Sequence, residues 1–477
     1  MRNVKDNFSE SAKVDAPSKE TPTHRSKPKH VPEPPRRVGK FEIKATGDEA
    51  RNYDFAAARP PAKNTNFIES AAHMAKGCLG AGLVAIHQNY ARAGLWTALI
   101  LNVVLGILLT YCIHILVQSA QKLYGRVQEP KLSYPDVAEA AAATSPFLKV
   151  RKFDKVARHA VDSVIMIDLF GSCVAYLVVI ARSLKQLIEN TDAKDQSYIR
   201  LYILALLIVC IPITWILEFK YLAPFSIVAN LFLCVVVIAT VVYGSMAAST
   251  SPLNTTAFPP IKSWQGVFTY MGGCVFAMEG VGVSMPIENY MANPKRFPQV
   301  LVAAMTVVIS MVMAVGFFGY WGYGDDSMAP VTMNFSRNWF SIILKVLMAL
   351  VIYVTFALNF WVPFDLAWYY IKRKIKPEKY WFWHRFWRTV FVIGIVLITV
   401  AFPSVDLLID VIGAFCLSNM GFIFPSLIEL SVDWFDPGPG RFYWRLWKCV
   451  AICVFGAVLC IIGTTTSVIS LIHELYG

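Results

Sequence analysis

The sequence predicts an all-α integral membrane protein of about eleven transmembrane helices, on three observations. Of its 477 residues 56% are hydrophobic and only 16% charged, whereas charged residues make up about a quarter of a soluble domain. Apolar stretches near 20 residues long, enough to cross a bilayer, recur from residue 67 almost to the end. Most of the 44 Lys and Arg residues sit in the N-terminal tail and in alternate polar connections between those stretches, so the formal charge of +12 reads as a topology signal and not as a nucleic-acid footprint. No nucleic-acid partner is expected; the lipid bilayer is. The ten cysteines all fall inside apolar runs and read as core thiols, not as a disulfide framework.

Residues 1–64 are polar and proline-rich with almost no aliphatic periodicity, which predicts a disordered tail. Its length and basic character keep it in the cytosol. Residues 65–477 form the transmembrane domain. Spans are expected at approximately 67–92, 94–121, 159–188, 198–217, 223–247, 264–289, 298–322, 339–370, 387–403, 406–430 and 447–473. Only Phe402-Pro403-Ser404-Val405 parts the ninth from the tenth. With the N-terminus in the cytosol, the richest basic connections, Lys149-Val150-Arg151-Lys152 and Lys372-Arg373-Lys374, fall on the cytosolic side. The acceptor sequons at Asn254 and Asn334 fall on the other side, so a glycoprotein is expected.

Glycine interrupts two spans in corresponding places: Gly77-Cys78-Leu79-Gly80-Ala81-Gly82 in the first and Met278-Glu279-Gly280-Val281-Gly282 in the sixth. Interruptions five spans apart point to two repeats of opposite direction with a solute site between them. An unwound stretch exposes N–H and C=O groups that hydrocarbon cannot satisfy and a buried polar solute can. The half-helix starting near Gly82 offers a positive dipole end to a carboxylate, and carbonyls freed in the sixth span suit an ammonium. The competing reading is close helix packing, for which small residues also serve; two symmetry-related clusters favour the solute site. Candidate site residues are Gly77, Gly80, Ala81, Gly82, Glu279, Gly280 and Gly282.

An uncompensated charge at the bilayer centre costs at least about 2.5–3.5 kcal/mol, so Glu279 is protonated, paired or wet, as a proton carrier or as a cap on the unwound backbone. Asp168 in the third span has the same ambiguity. His73 precedes Gly77 by one helical turn and shares its face, with a ring suited to accept a proton near neutral pH. His114 reads as a packing residue, and His87 lies beyond the break, toward the outer mouth. Nucleotide-binding loops, HExxH and nucleophile elbows are missing, so no enzyme, metal or cofactor is expected.

The run from Phe276 through Glu279, Gly280, Gly282, Pro286 and Asn289 to Pro294-Lys295-Arg296-Phe297-Pro298 resembles the FAFEGIG, PLEN and PKRFP run of the proton-coupled amino acid transporters, in the amino acid/auxin permease superfamily. Further matches are His73 to Gly82 as H-x-x-K-G-x-x-G-x-G, Gly94, then Gly171, Cys173, Tyr176 and Leu184-Lys185-Gln186, and finally Gly413, Pro425 and Glu429. The resemblance covers residues 66 to about 475. It implies a LeuT-type fold, two inverted five-span repeats plus one span, that moves small neutral amino acids such as Ala, Gly and Pro by proton symport, with H+ as coupling ion, in the plasma or endolysosomal membrane. It places the family's functional histidine on His73 and its glutamate on Glu279, and adds Tyr176 to the substrate site. Three departures stand out: Ile86-His87 replaces a Leu-Pro or Met-Pro pair, Arg182 stands where an acid is common, and the outer-loop cysteine pair is missing. The alternative reading is an amino-acid sensor with little net transport, which the loss of that proline suits.

Overall fold

A computed structural model describes residues 41–59, 65–189, 198–215, 223–250, 258–372, 375–376, 379–434, 438 and 440–476. Among them nine helices are long and apolar enough to cross a membrane. Two further spans complete a set of eleven: the first, broken into Phe67–Cys78 and Ala81–Ala93, and the fourth, Ile199–Ala205 with Leu207–Thr214. The others are Leu95–Val127, Asp154–Glu189, Ala223–Thr250, the broken sixth (Trp264–Ala277 and Val281–Tyr290), Phe297–Tyr323, Trp339–Ile371, Tyr380–Ala401, a tenth running from Val405 to Asp433, and an eleventh from Trp444 to Tyr476. The first and sixth spans are five apart and therefore enter from opposite sides, as inverted repeats require.

Local chemistry sets the ends. Ser263 and Asn338 cap the sixth and eighth spans by accepting from the Gly266 and Ser341 N–H groups at 2.9 and 2.8 Å. The narrow gap between the ninth and tenth spans falls where expected, because the ninth ends at Ala401 and the tenth begins at Val405 on either side of Pro403. The ninth starts at Tyr380 instead of 387. Its first turns carry Arg and His among tryptophans, which hid them from a count of apolar residues; Trp381 and Phe382 are exposed, and the Arg385 guanidinium lies 4.0 Å from the Trp381 ring centre. A helix at Tyr134–Ala143, capped by Ser133, was not foreseen because alanine carries little amphipathic signal.

The boundary drawn at residue 64 needs correction. Residues 41–59, placed in the disordered tail, are packed on the second span. Lys44 and Ala45 donate backbone N–H bonds to the Arg126 carbonyl at 2.8 and 3.1 Å, and the short helix Gly47–Asn52 sits so near that a side-chain carbon on Gly125 would lie 2.0 Å from the Ala50 carbonyl oxygen. Phe55 packs on Tyr124, ring centres 5.2 Å apart. Arg59 reaches past both rings to Glu288 of the sixth span, donating to its two carboxylate oxygens at 3.1 and 3.0 Å and to its carbonyl at 2.9 Å. Aromatic and guanidinium contacts anchor this stretch where aliphatic ones are scarce. Of the ten cysteines, Cys234 departs from the expected core placement and faces outward.

Candidate functional site

The first span stops at Cys78, passes through extended Leu79 (φ −91°, ψ 117°) and Gly80, and restarts at Ala81. The sixth stops at Ala277, turns through Met278 (φ −112°, ψ 19°), Glu279 and Gly280 (φ −139°, ψ 0°), and restarts at Val281. The two breaks lie against each other, and three glycines make that approach possible. A side-chain carbon added to Gly82 would stand 2.8 Å from the Ala277 backbone, one on Gly77 would stand 2.6 Å from Val283, and one on Gly280 would stand 2.6 Å from the Cys78 sulfur. These positions are packed. Gly282 differs: its nearest neighbour would be a Glu279 carboxylate oxygen at 3.8 Å, so it borders open space.

Four half-helix ends converge at this crossing. The N-terminal N–H groups of Ala81–Ala93 and Val281–Tyr290 face it from two sides, and such ends attract anions. Carbonyl ends of Phe67–Cys78 and Trp264–Ala277 supply the opposite polarity. Tyr176 of the third span closes one wall: a carbon on Gly80 would lie 3.1 Å from its hydroxyl, and that hydroxyl accepts from the Asn359 amide of the eighth span at 2.8 Å. Asn359 was not singled out from the sequence, although an amide inside an apolar span is itself a signal. The tenth span adopts a wide, π-type turn over Gly413–Ile423, a geometry frequent at functional sites, and brings Cys416 toward Asp168 and Glu279.

Glu279 is half-buried at the break, while Asp168 is fully buried and faces it. The structure therefore joins Gly80, Ala81, Gly82, Tyr176, Glu279, Gly280 and Gly282 around one crossing. His73 stands apart, exposed one turn, about 6 Å, from Gly77 along the helix. His87 is buried, its Nε2 3.2 Å from the Met328 carbonyl, and thus belongs to the seal beyond the site. That seal includes the Arg92–Asp410 ion pair at 2.7 Å, tying the first span to the tenth, and the Asn89 amide, which donates to Asp410 at 2.6 Å. Arg182 donates to the Ala329 and Pro403 carbonyls, which explains a cation at a place where the resemblance led one to expect an acid. Asn254 lies outside the described residues. Asn334 donates its amide to the Met328 and Val331 carbonyls at 2.7 and 3.2 Å.

A bundle of eleven spans with paired breaks in the first and sixth defines a membrane transporter of the inverted-repeat class. A family described as "Transmembrane amino acid transporter protein" matches residues 63–469, and the chain belongs to that family. It is 32% identical over 426 residues to a proton-coupled amino acid transporter-like protein, pathetic, of Drosophila melanogaster, covering 87% of this chain and 88% of that one. To the probable amino acid transporter skat-1 of Caenorhabditis elegans it is 23% identical over 449 residues, covering 91% and 96%. The crystal structure of MhsT in complex with L-phenylalanine shares the fold, with a TM-score of 0.51 at 13% identity over 83% of this chain and 98% of that one.

Proposed function

We propose that the protein is a secondary active transporter that moves small neutral amino acids, such as alanine, glycine and proline, by proton symport. The observation that carries this reading is the crossing itself, where the helix N-termini and the helix carbonyl ends of both broken spans meet beside an acid. An α-carboxylate suits the former and an α-ammonium the latter, so a zwitterion is held by backbone that needs no further charged side chain. The wall is made of Gly, Ala, Cys, Met and Tyr, which favours a short apolar side chain. The name of the Drosophila relative adds proton coupling. Glu279, half-buried at the site, is the acid that carries it, and exposed His73 is the acceptor through which the proton leaves toward the cytosol.

With the N-terminus in the cytosol, residues 41–59 brace the cytosolic end and the Arg92–Asp410 pair seals the outer one. The test of substrate class is counterflow: purified protein in liposomes loaded with unlabelled alanine exchanges it for labelled alanine, glycine and proline. No exchange in alanine-loaded liposomes, with exchange seen only in liposomes loaded with lysine, glutamate or tryptophan, would contradict the reading.

A further inference from the structure

We propose that Asp168 is a second proton-binding carboxyl, set opposite Glu279 so that the two acids hold one proton between them. The proposal rests on the symport reading above and adds a residue that neither the family resemblance nor the relatives assign.

Asp168 belongs to the third span and is fully buried. Neither of its carboxylate oxygens has a hydrogen-bond partner of normal geometry among the described residues, and the charged group it meets is the Glu279 carboxyl. Glu279 is half-buried where the sixth span unwinds, so one acid of the pair looks into the site and the other is sealed behind it. The remaining titratable neighbours are Tyr176 and Cys173 of the third span, Cys416 of the tenth and Cys78 of the first. Asn359 of the eighth span occupies the Tyr176 hydroxyl. No Lys, Arg or His among the described residues is paired with either acid. Among the described residues no group of three or more His, Cys, Asp or Glu side chains could hold a metal ion.

Two facing carboxyls without a cation cannot both ionise in a desolvated site. The pair therefore carries one proton and one negative charge. An ammonium arriving beside Glu279 draws the charge to that side: the O–H bond on Glu279 breaks, one forms on Asp168, and the net charge stays at minus one. A second proton from solution, taken up through Glu279, neutralises the pair, and its departure to the other side restores the charge. Solute and proton act on one shared charge with opposite sign, so symport follows when the carrier with solute bound changes access only once the second proton has neutralised the pair.

Infrared difference spectra on acidification, recorded on the full-length protein in liposomes, test this without any transport. The pair predicts a pH-dependent carboxylic-acid C=O band whose frequency and midpoint are moved by Asp168→Asn and by Glu279→Gln alike, since each leaves a lone carboxyl without its partner, and which vanishes in the double variant. A band unchanged in midpoint and frequency by either substitution overturns the proposal; the Glu279→Gln spectrum decides alone if Asp168→Asn is not recovered. A band shift produced by sodium in place of acid would assign the pair to a metal cation and also overturn it. In uptake assays Asp168→Asn should lose the rise between about pH 7.5 and about pH 5.5, while Asp168→Glu keeps it. Failure of the parent to show that rise would refute symport itself and leave the infrared result to judge the pair.

Discussion

At the scale of single residues, the Arg59–Glu288 pair is the sharpest test of how the N-terminal stretch is held. Its side chains are 6% and 0% exposed, and Tyr124 and Gln121 also donate to the Glu288 carboxylate, at 2.9 and 3.1 Å. Removing one partner of a buried pair leaves an uncompensated charge and costs about 3–5 kcal/mol. Arg59→Ala should therefore lower the thermal stability of the purified protein markedly, and adding Glu288→Gln should recover much of the loss. Equal melting of the parent and the single variant would detach residues 41–59 from the account. For proton coupling the residue to change is His73. His73→Ala should abolish pH-driven accumulation in protein that still reaches the membrane. Restoration by Phe would mark His73 as a packing residue, which its exposed position argues against.

Among the elements, the broken helices hold the proposed solute site, and their glycines divide into two kinds. Gly82 meets backbone at 2.8 Å, so Gly82→Leu should disturb folding and reduce the amount of protein in the membrane. Gly282 borders space, so Gly282→Leu should fold, reach the membrane and fail to bind solute. Surface labelling together with counterflow distinguishes the two, and a Gly282→Leu protein that exchanges alanine as the parent does would move the site elsewhere. Both breaks were legible in the sequence because glycine clusters at matched depth have few other causes. The crossing partners were not. Asn359 and Cys416 come from the eighth and tenth spans, and which face of an apolar helix turns inward is decided by packing that a single sequence does not display. The same limit hid residues 41–59, since Phe55 and Arg59 anchor a stretch whose composition matches a loose tail.

For the whole molecule, the eleven spans follow from length, hydropathy and the placement of Lys and Arg, and the two repeats from the paired glycine breaks, all properties written along the chain. The proposed topology puts Asn254 and Asn334 outside the cytosol. Glycosidase should shift the protein's mobility, and Asn254→Gln combined with Asn334→Gln should remove the shift. Because the Asn334 amide also supports its own loop, Asn254→Gln alone is the cleaner variant, and a glycan retained by the double variant would invert the topology.

The central claim is that solute moves uphill at the expense of a proton gradient, and one measurement addresses it directly. Liposomes containing the purified parent protein are given labelled alanine at equal concentration on both sides, with an acidic exterior at about pH 5.5 and an interior at about pH 7.5. The account predicts accumulation inside that collapses when a proton ionophore is added. Alanine that binds without accumulating, or accumulates regardless of the ionophore, would contradict it, the first outcome leaving an amino-acid sensor in its place.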